Sequence, residues 1–439
     1  MQTVDTLIHA RWIIPVNPAR DVLVDHSLAV KDGQIAAILP TTDAKAQYQA
    51  TDTLDLGEQA LIPGFVNAHG HAAMSLFRGL GDDLELMTWL NDHIWPAEGA
   101  WVGEDFVGDG TELAIAEMIR SGTTTFADNY FFPDSAAQRV EKAGVRAQFS
   151  FSVIDFPTNW AKTPDEHIDL GMELVAKYKD SKLVKMMFGP HAPYTCSDEP
   201  LSRIRDLAKE HQLMIQMHVH ETQTEVEGEI EKRGNRPVRR LRELGLLNDQ
   251  FQAVHMTALN EDDINDIAET GAHIIHCPES NLKLASGFCP VDTLQKRGVN
   301  VALGTDGAAS NNDLDMMSEM RTAAILAKAV SQNATALPAY EALAMATLNG
   351  AKAMGWDQQI GSLEVGKEAD ITAIRLDDLE SQPIYDPVSH IVYASSRDQV
   401  TNVWVSGKRL LNDRKLTTLD KDAIMANARQ WRDRIAAGK

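Results

Sequence analysis

Cysteine is scarce in this chain of 439 residues, which carries only Cys196, Cys277 and Cys289. Three cysteines cannot all pair with one another and none lies in a C-x-x-C arrangement, so a disulfide framework is excluded and a reducing compartment is indicated. No run approaches the roughly 18 apolar residues of a membrane span, and the first residues lack the basic and then apolar pattern of a signal peptide. We therefore expect a cytoplasmic protein with no membrane partner.

Positive charge is also in short supply. The chain has 41 Lys and Arg residues against 63 Asp and Glu residues, a net charge of -22. An acidic surface repels phosphates, which argues against a nucleic-acid partner and favours a neutral or cationic small-molecule substrate. With 44% hydrophobic and 24% charged residues, the composition is that of a globular protein. The length suggests two or three domains, or one large α/β barrel.

Both ends of the chain are rich in short β-segments and turns. An Asp-Gly pair at 32–33 lies between two apolar runs and is typical of a hairpin turn. The strand-like segments are 7–10, 27–30, 35–39, 369–374, 390–393 and 403–405. This distribution predicts one small β-sandwich domain made of residues 1–58 together with 362–418, followed by a C-terminal helix at 419–439.

Between these ends, apolar strand candidates alternate with segments of helical period. The strands are predicted at 61–67, 123–127, 145–151, 183–188, 213–217, 251–256, 272–276 and 299–304. Helices are predicted at 104–120, 165–179, 199–211, 261–269 and 313–330. Eight strands alternating with helices indicate an α/β fold, a (β/α)8 TIM-type barrel, over residues 59–361. A long insertion at 72–103, which carries Trp89, Trp95 and Trp101, is a candidate substrate lid.

Side chains that bind metals follow the ends of several predicted strands. The first strand ends in His69-Gly70-His71, and because strand side chains alternate between faces, both imidazoles project the same way. The active site of such a barrel lies at the carboxyl ends of its strands. The polar residues that follow the later strands are Asp128, His191, His218, His255, His276 and Asp306.

Imidazoles with one carboxylate and an open position for water are typical of a catalytic metal site rather than a structural one. We expect His69, His71, His218 and Asp306 to bind one divalent ion, with zinc as the first choice and iron or manganese as alternatives. Geometry alone leaves His220 open as the ligand in place of His218.

Such an ion lowers the pKa of its bound water to about 7. Glu221, three residues beyond His218, is placed to move protons between water, substrate and leaving group, and His255 to orient the water. The alternatives are that Glu221 caps the next helix and that His191 and His255 only support other residues. Asp128 is interpreted as a support of the rim, and His273 and His276 as packing residues.

Longer motifs around these residues resemble the amidohydrolase superfamily in its mononuclear-metal branch, and more narrowly the 5'-methylthioadenosine/S-adenosylhomocysteine deaminases. The matching runs are P-G-F-V-N-A-H-G-H at 63–71, G-P-H-A-P-Y at 189–194, M-H-V-H-E-T at 217–222, V-H at 254–255, C-P-E-S-N-L-K-L-A-S-G at 277–287, L-G-T-D-G-A-A-S-N-N at 303–312 and G-S-L-E-V-G-K-E-A-D-I at 361–371. The resemblance covers nearly the whole chain.

The resemblance implies roles for particular residues. In that family, residues matching His69, His71, His218 and Asp306 bind zinc, and residues matching Glu98, His191 and Glu221 hold the nucleoside. It also implies the reaction, in which Glu221 protonates N1 of an adenine ring while Asp306 and His255 manage the attacking hydroxide. The 6-amino group then leaves as ammonia.

Two other functions stay open at this point. A guanine-type deaminase or a triazine chlorohydrolase would use the same metal core with a different pocket. A non-catalytic barrel scaffold would have lost its ligands, and all four are present. We also expect the protein to be a homo-oligomer, either a dimer or a tetramer.

The segment 147–161 bears on the choice of nucleoside, because it contains no Arg or Lys. S-adenosylhomocysteine carries a carboxylate, which proteins usually meet with arginine. The segment offers Phe156 and Trp160 instead, and with Trp95 on the lid these predict an apolar pocket suited to a thiomethyl group. We therefore predict a preference for 5'-methylthioadenosine. Glu98, also on the lid, is predicted to accept hydrogen bonds from a ribose diol.

Overall fold

The computed structural model describes residues 1–18 and 20–438. The strands of this part of the chain form two sheets. The first five strands are β1 (Gln2–Ile13), β2 (Leu23–Lys31), β3 (Gln34–Pro40), β4 (Tyr48–Asp55) and β5 (Gln59–Pro63). The predicted Asp-Gly turn is confirmed: Asp32 and Gly33 have φ values of 52° and 83° between the paired β2 and β3, as a type I′ hairpin requires.

Eight further strands form the predicted barrel. They are β6 (Phe65–Asn67), β7 (Thr123–Tyr130), β8 (Arg146–Val153), β9 (Val184–Pro190), β10 (Ile215–Val219), β11 (Phe251–His255), β12 (His273–His276) and β13 (Val301–Leu303). They are hydrogen-bonded in sequence order, and each is parallel to the next. The amide of Ala68 donates to the carbonyl of Leu303 at 2.9 Å, which closes the ring between its first and last strands.

The last four strands complete the other sheet. They are β14 (Ile371–Arg375), β15 (Val400–Val405), β16 (Lys408–Asn412) and β17 (Lys415–Leu416). The nine-stranded sheet runs β17-β16-β15-β14-β5-β1-β2-β3, with β4 also paired to β1. β14 and β5 are antiparallel neighbours, so the small β-domain is made from both ends of the chain, as predicted.

One predicted strand, 61–67, is divided at Gly64 between the two sheets. β5 belongs to the mixed sheet, whereas β6 belongs to the barrel. The amide of Gly64 donates to the carbonyl of Asp370 at 3.0 Å, and a Cβ at this position would lie 2.2 Å from the side chain of Thr124. We therefore propose that the first domain boundary lies at Gly64 rather than at residue 58, and that 362–418 completes the mixed-sheet domain.

The segment 390–393, predicted as a strand, is instead part of a helix, Pro387–Tyr393. The Asp386 side chain accepts a hydrogen bond from the amide of Val388 at 2.9 Å, and proline occupies the first helical position, where its missing amide costs nothing. The buried side chains follow helical spacing rather than alternation. Local β-branched composition was therefore a misleading signal.

Helices cover the outside of the barrel and close the chain. Their bounds are Thr41–Gln47, Glu104–Arg120, Pro133–Ala143, Pro164–Tyr178, Asp198–His211, Gln223–Arg233, Pro237–Glu243, Glu261–Thr270, Pro278–Lys283, Val291–Lys296, Met316–Ser331, Ala339–Met345, Leu348–Ala353 and Lys421–Ala437, with 3-10 turns at Leu379–Ser381 and Arg397–Gln399. In the described part of the chain, no helix combines the length and the apolar character needed to cross a bilayer.

The insertion at 72–103 consists of short helical pieces. They are a 3-10 segment at Ala72–Phe77, a turn at Leu86–Thr88, a π-helical segment at Trp89–Ile94 and an α-helix at Trp95–Trp101. Asp128, at the end of β7, accepts a hydrogen bond from the amide of Ala72 at 2.7 Å. This contact fixes the start of the insertion above the barrel.

Candidate active site

Four predicted ligands converge where the barrel strands end. The Nε2 atoms of His71 and His69 lie 3.2 and 3.5 Å from Oδ1 of Asp306, and Nε2 of His218 lies 3.2 Å from Nε2 of His69. Ligands held about 2.0–2.1 Å from one tetrahedral ion are separated by about 3.3 Å. These three separations fit ligands of one ion, and His69 is the residue shared by the two groups of close ligand atoms, His69/His71/Asp306 and His69/His218/His255.

The orientation of the three imidazoles also fits a metal. Each presents Nε2 to the cluster and uses Nδ1 to hydrogen-bond an oxygen that can only accept. The acceptors are Oε1 of Gln216 for His69 at 2.7 Å, the carbonyl of Asn129 for His71 at 2.5 Å and the carbonyl of His191 for His218 at 2.8 Å. Each Nδ1 therefore carries the proton, and each Nε2 keeps a lone pair for a metal.

The geometry distinguishes His218 from His220, which the sequence left open. His218 lies on β10 and faces the cluster. The ring of His220 is turned away, with Nδ1 at 3.1 Å from the carbonyl of Ala258 and Nε2 accepting from the amide of Val238 at 3.2 Å. His220 lies just after β10, which ends at Val219, and its φ of 53° departs from strand geometry, so its ring does not share the direction of His218.

The charges in the cluster call for a cation. Burial would raise the pKa of Asp306, but the close contacts with His69 and His71, and the charge that these imidazoles can carry, hold it well below its usual range. Burial disfavours a charged His71, yet its hydrogen bond and attraction to Asp306 outweigh this and raise its pKa to about 9. A carboxylate buried among imidazoles thus favours one positive charge beside it, which either a proton or a metal ion can provide.

Asp306 is held by two serines that sequence reasoning did not assign. The hydroxyls of Ser280 and Ser310 donate to its Oδ2 at 2.7 and 3.2 Å, and the amide of Gly307 donates to its Oδ1 at 2.8 Å. Both serines lie in the runs 277–287 and 303–312, whose likeness to the family was the available signal. These bonds fix the carboxylate against the three histidines.

Glu221 and His255 lie together beside the ligands. Oε2 of Glu221 is 3.8 Å from Nε2 of His255, whose Nδ1 is 2.9 Å from Oδ1 of Asn281. Burial, followed by the charge of Asp306, raises the pKa of Glu221 to about 8. His255 also lies within metal-binding reach of His69 and His218, which places it at the same centre.

A cavity opens above this centre between the barrel and the insertion. Most of its lining is apolar, and none of the lining residues is Arg or Lys. The predicted residues Trp95, Glu98, Phe156 and His191 all line it. Burial lowers the pKa of His191 to about 4, so its imidazole is neutral at physiological pH.

Trp160 does not reach this cavity. The hydroxyl of Thr158 accepts hydrogen bonds from the amides of Trp160 and Ala161, both at 3.1 Å, which turns the chain away from the opening. The indole packs beside His167, with ring centroids 5.4 Å apart. The pocket role predicted for Trp160 is therefore not supported by its position. Phe156 does line the cavity, and its ring meets that of Trp95 edge-on, with the ring centroids 6.5 Å apart.

Comparison with known proteins places the chain in a family. Residues 60–410 match the Amidohydrolase family, and the chain belongs to it, which confirms the resemblance seen in the sequence.

More narrowly, the chain is 50% identical over 435 residues, 99% of its length and 98% of the relative's, to a 5-methylthioadenosine/S-adenosylhomocysteine deaminase of Teredinibacter turnerae. It is 39% identical over 436 residues, 99% of both chains, to a 5'-deoxyadenosine deaminase of Methanosarcina mazei. A solved adenosine deaminase of Xanthomonas campestris with bound zinc has a TM-score of 0.98 and 50% identity, covering 99% of each chain.

Proposed function

We propose that this protein is a metal-dependent hydrolase of C–N bonds in cyclic amidines, which converts the 6-amino group of an adenine nucleoside to a 6-oxo group and releases ammonia. 5'-Methylthioadenosine is the preferred substrate, with adenosine and S-adenosylhomocysteine as poorer ones. The observation that carries the proposal is the convergence of three imidazoles and one carboxylate beneath a cavity that is also lined by two partly buried glutamates, Glu98 and Glu221.

His69, His71, His218 and Asp306 would hold the metal, since Oδ1 of Asp306 lies 3.5 and 3.2 Å from Nε2 of His69 and His71, and Nε2 of His218 lies 3.2 Å from Nε2 of His69. We propose zinc, because nitrogen and oxygen donors in this number suit it and the Xanthomonas campestris relative was solved with zinc. When bound, such an ion lowers the pKa of water to about 7 and so supplies hydroxide at neutral pH.

Glu221 is suited to act as the general acid. A pKa of about 8 keeps its carboxyl protonated at neutral pH, so it can give a proton to N1 as C6 becomes tetrahedral. His255 and Asp306 take up the first proton of the attacking water and pass it to the amino group, which leaves as ammonia when the C6–N6 bond breaks. The second water proton, on the hydroxyl at C6, returns to Glu221 as the C6=O group forms. One water is consumed for each ammonia released.

Glu98 and His191 would hold the nucleoside. Glu98 lies on the helix Trp95–Trp101 and faces the cavity across from the metal ligands. A carboxylate can accept two hydrogen bonds, which suits the adjacent hydroxyls of a ribose. His191 is neutral and fixed by the contact of its Nδ1 with Oγ1 of Thr195 at 3.0 Å, which leaves its other nitrogen for the substrate.

The experiment that tests this function is an ultraviolet absorbance assay of the purified protein against a panel of heterocycles. We expect turnover of adenine nucleosides and little or none of guanine or chlorotriazines. Preferred turnover of guanine or a chlorotriazine would assign the protein to those activities instead. No turnover of any compound by metal-loaded protein would favour a scaffold.

Glu98→Ala tests the assignment of the ribose site. We expect kcat/KM for 5'-methylthioadenosine to fall by about a hundredfold and that for its 2',3'-dideoxy analogue to change little, because a site built around hydroxyls penalises their loss. Steady-state kinetics on both substrates provide the comparison. Glu85→Ala, an exposed change on the same insertion, is the control and should affect neither. Equal losses on the two substrates would contradict the role.

The cavity also predicts discrimination at the 5' position. With no Arg or Lys in the lining, nothing there compensates the buried carboxylate of S-adenosylhomocysteine. We expect kcat/KM for 5'-methylthioadenosine to exceed that for S-adenosylhomocysteine by at least about tenfold, which needs only ~1.4 kcal/mol. Phe156→Arg adds a cation to the cavity lining that can pair with the carboxylate of S-adenosylhomocysteine. It should therefore bring the two kcat/KM values closer together. Equal constants in the unaltered protein, or a preference for S-adenosylhomocysteine, would rule the prediction out.

A further inference from the structure

Tyr130 is a buried residue at the end of β7 that nothing above assigns to the reaction. Its hydroxyl donates to Oε1 of Glu98 at 2.7 Å, and both side chains line the cavity. Glu98 belongs to the insertion and Tyr130 to the barrel wall. The bond therefore joins the insertion to the barrel wall.

We propose that Tyr130 is a positioning residue that sets how the protein reads the ribose hydroxyls, by fixing the carboxylate of Glu98 from the barrel wall. The inference rests on the proposed function, since it concerns the residue that would bind the ribose. It adds a determinant of specificity that the sequence motifs do not contain.

The end of β7 contacts both the metal-binding cluster and the proposed ribose site. Tyr130 is preceded by Asn129, whose carbonyl accepts a hydrogen bond from Nδ1 of His71 at 2.5 Å and whose amide donates to the carbonyl of Gly70 at 2.9 Å. One strand end thus orients a metal ligand and, one residue later, the ribose carboxylate Glu98. The distance between the reacting centre and the ribose is set by a single rigid element.

The backbone around Glu98 is held by a residue other than Tyr130. The side-chain amide of Asn159, on the loop after β8, donates to the carbonyls of Gly99 and Val102 at 3.2 and 3.0 Å. These bonds fix the end of the helix Trp95–Trp101 and leave the carboxylate itself to be oriented. Tyr130 supplies that orientation.

The hydrogen bond from Tyr130 also affects the charge of Glu98. Burial raises the pKa of Glu98, and the hydrogen bond from Tyr130 opposes the shift. The phenol thus stabilises the ionised carboxylate, which accepts a hydrogen bond from a hydroxyl more strongly than a neutral carboxyl does.

Tyr130→Phe is the test, because it removes one oxygen and keeps the ring. We expect kcat/KM for 5'-methylthioadenosine to fall about tenfold, mainly through KM, while kcat/KM for the 2',3'-dideoxy analogue stays within about twofold. Combining Tyr130→Phe with Glu98→Ala should add little to the loss caused by Glu98→Ala alone, as expected of residues that act as a unit.

The matched control is Tyr178→Phe, since the hydroxyl of Tyr178 also donates to a carboxylate, that of Asp134 at 2.8 Å, outside the cavity lining. It should leave both substrates unchanged. Unfolding midpoints and metal content measured on all variants separate folding from positioning.

Equal losses on the hydroxylated and dideoxy substrates, or no loss on either, would overturn the inference while leaving the proposed function intact. If the unaltered protein turns over no adenine nucleoside, the proposed function fails. In that case, equilibrium binding of 5'-methylthioinosine and its dideoxy analogue tests whether Tyr130 has the positioning role. A weaker binding of the hydroxylated compound alone in Tyr130→Phe would support the inference, and no binding to either protein would overturn it.

Discussion

Replacing Glu221 by glutamine will lower kcat/KM for 5'-methylthioadenosine by at least about a thousandfold, because proton transfer from a positioned acid contributes roughly 10²–10⁴ to rate. Glutamine keeps the shape of the side chain and cannot deliver the proton. The metal should remain bound, since Glu221 belongs to neither group of close potential ligands, His69/His71/Asp306 or His69/His218/His255. Stopped or continuous absorbance assays on metal-replete protein measure the loss.

The same residue predicts a pH dependence. With a pKa raised to about 8 by burial and by the charge of Asp306, the acid form of Glu221 is present below that pH and is lost above it. Activity that needs the acid should therefore decline as pH rises through about 8. The residual activity of Glu221→Gln should lack that decline.

Glu227→Gln is the control for this experiment. Glu227 lies on the next helix, Gln223–Arg233, and is exposed, so the same chemical change there should leave kinetics unaltered. Turnover near the original value in Glu221→Gln would rule out its role as the acid.

Removing the metal will abolish deamination, and adding zinc will restore it. Removing the metal should also lower the stability of the fold, because three imidazoles and the carboxylate of Asp306 lose the cation that they surround. A ligand that binds only the folded protein stabilises it by about 3–4 kcal/mol at 100 to 1,000 times its dissociation constant. The stripped protein should therefore also unfold at a lower temperature, measured by scanning calorimetry.

A pair of histidine variants separates binding at this site from metal bound elsewhere. His218→Asn should reduce the zinc content of the purified protein to a small fraction of one ion per chain. His220→Asn, just beyond the end of that strand, should retain zinc because the His220 ring faces away from the cluster. Full activity after exhaustive chelation, or equal zinc contents in the two variants, would refute the site.

The barrel could be predicted because its signal is local and repeated. Each strand is a short apolar run followed by a helical segment, and a parallel barrel needs no other information than that order. The division of the run 61–67 at Gly64 could not be predicted, since both halves are equally apolar and only their partners in space differ. The helix Pro387–Tyr393 was missed although its start signal, Asp386 followed by proline, was present in the sequence.

In the candidate site, the residues that could be predicted are those whose direction follows from strand ends. His69, His71 and His218 lie on barrel strands or within four residues of a strand end, which places them at the rim of the barrel but does not choose between His218 and His220. Their supports, such as Gln216 and Ser280, are recognised only by contact, because a glutamine or a serine has no chemical signature of its own. The pocket position predicted for Trp160 was not found because the direction of its indole depends on a local turn at Thr158, which the sequence pattern does not show.

The pairing of β5 with β14 also has a consequence for biosynthesis. As the nascent chain leaves the ribosome, β5 has β1 beside it at once, but its other neighbour, β14, is translated only after the entire barrel. The first barrel strand, which leads to His69, follows β5 directly. Such long-range pairing is slow to form. Translation must therefore pass β14 before β5, the strand that leads directly into β6 and His69, has its second neighbour.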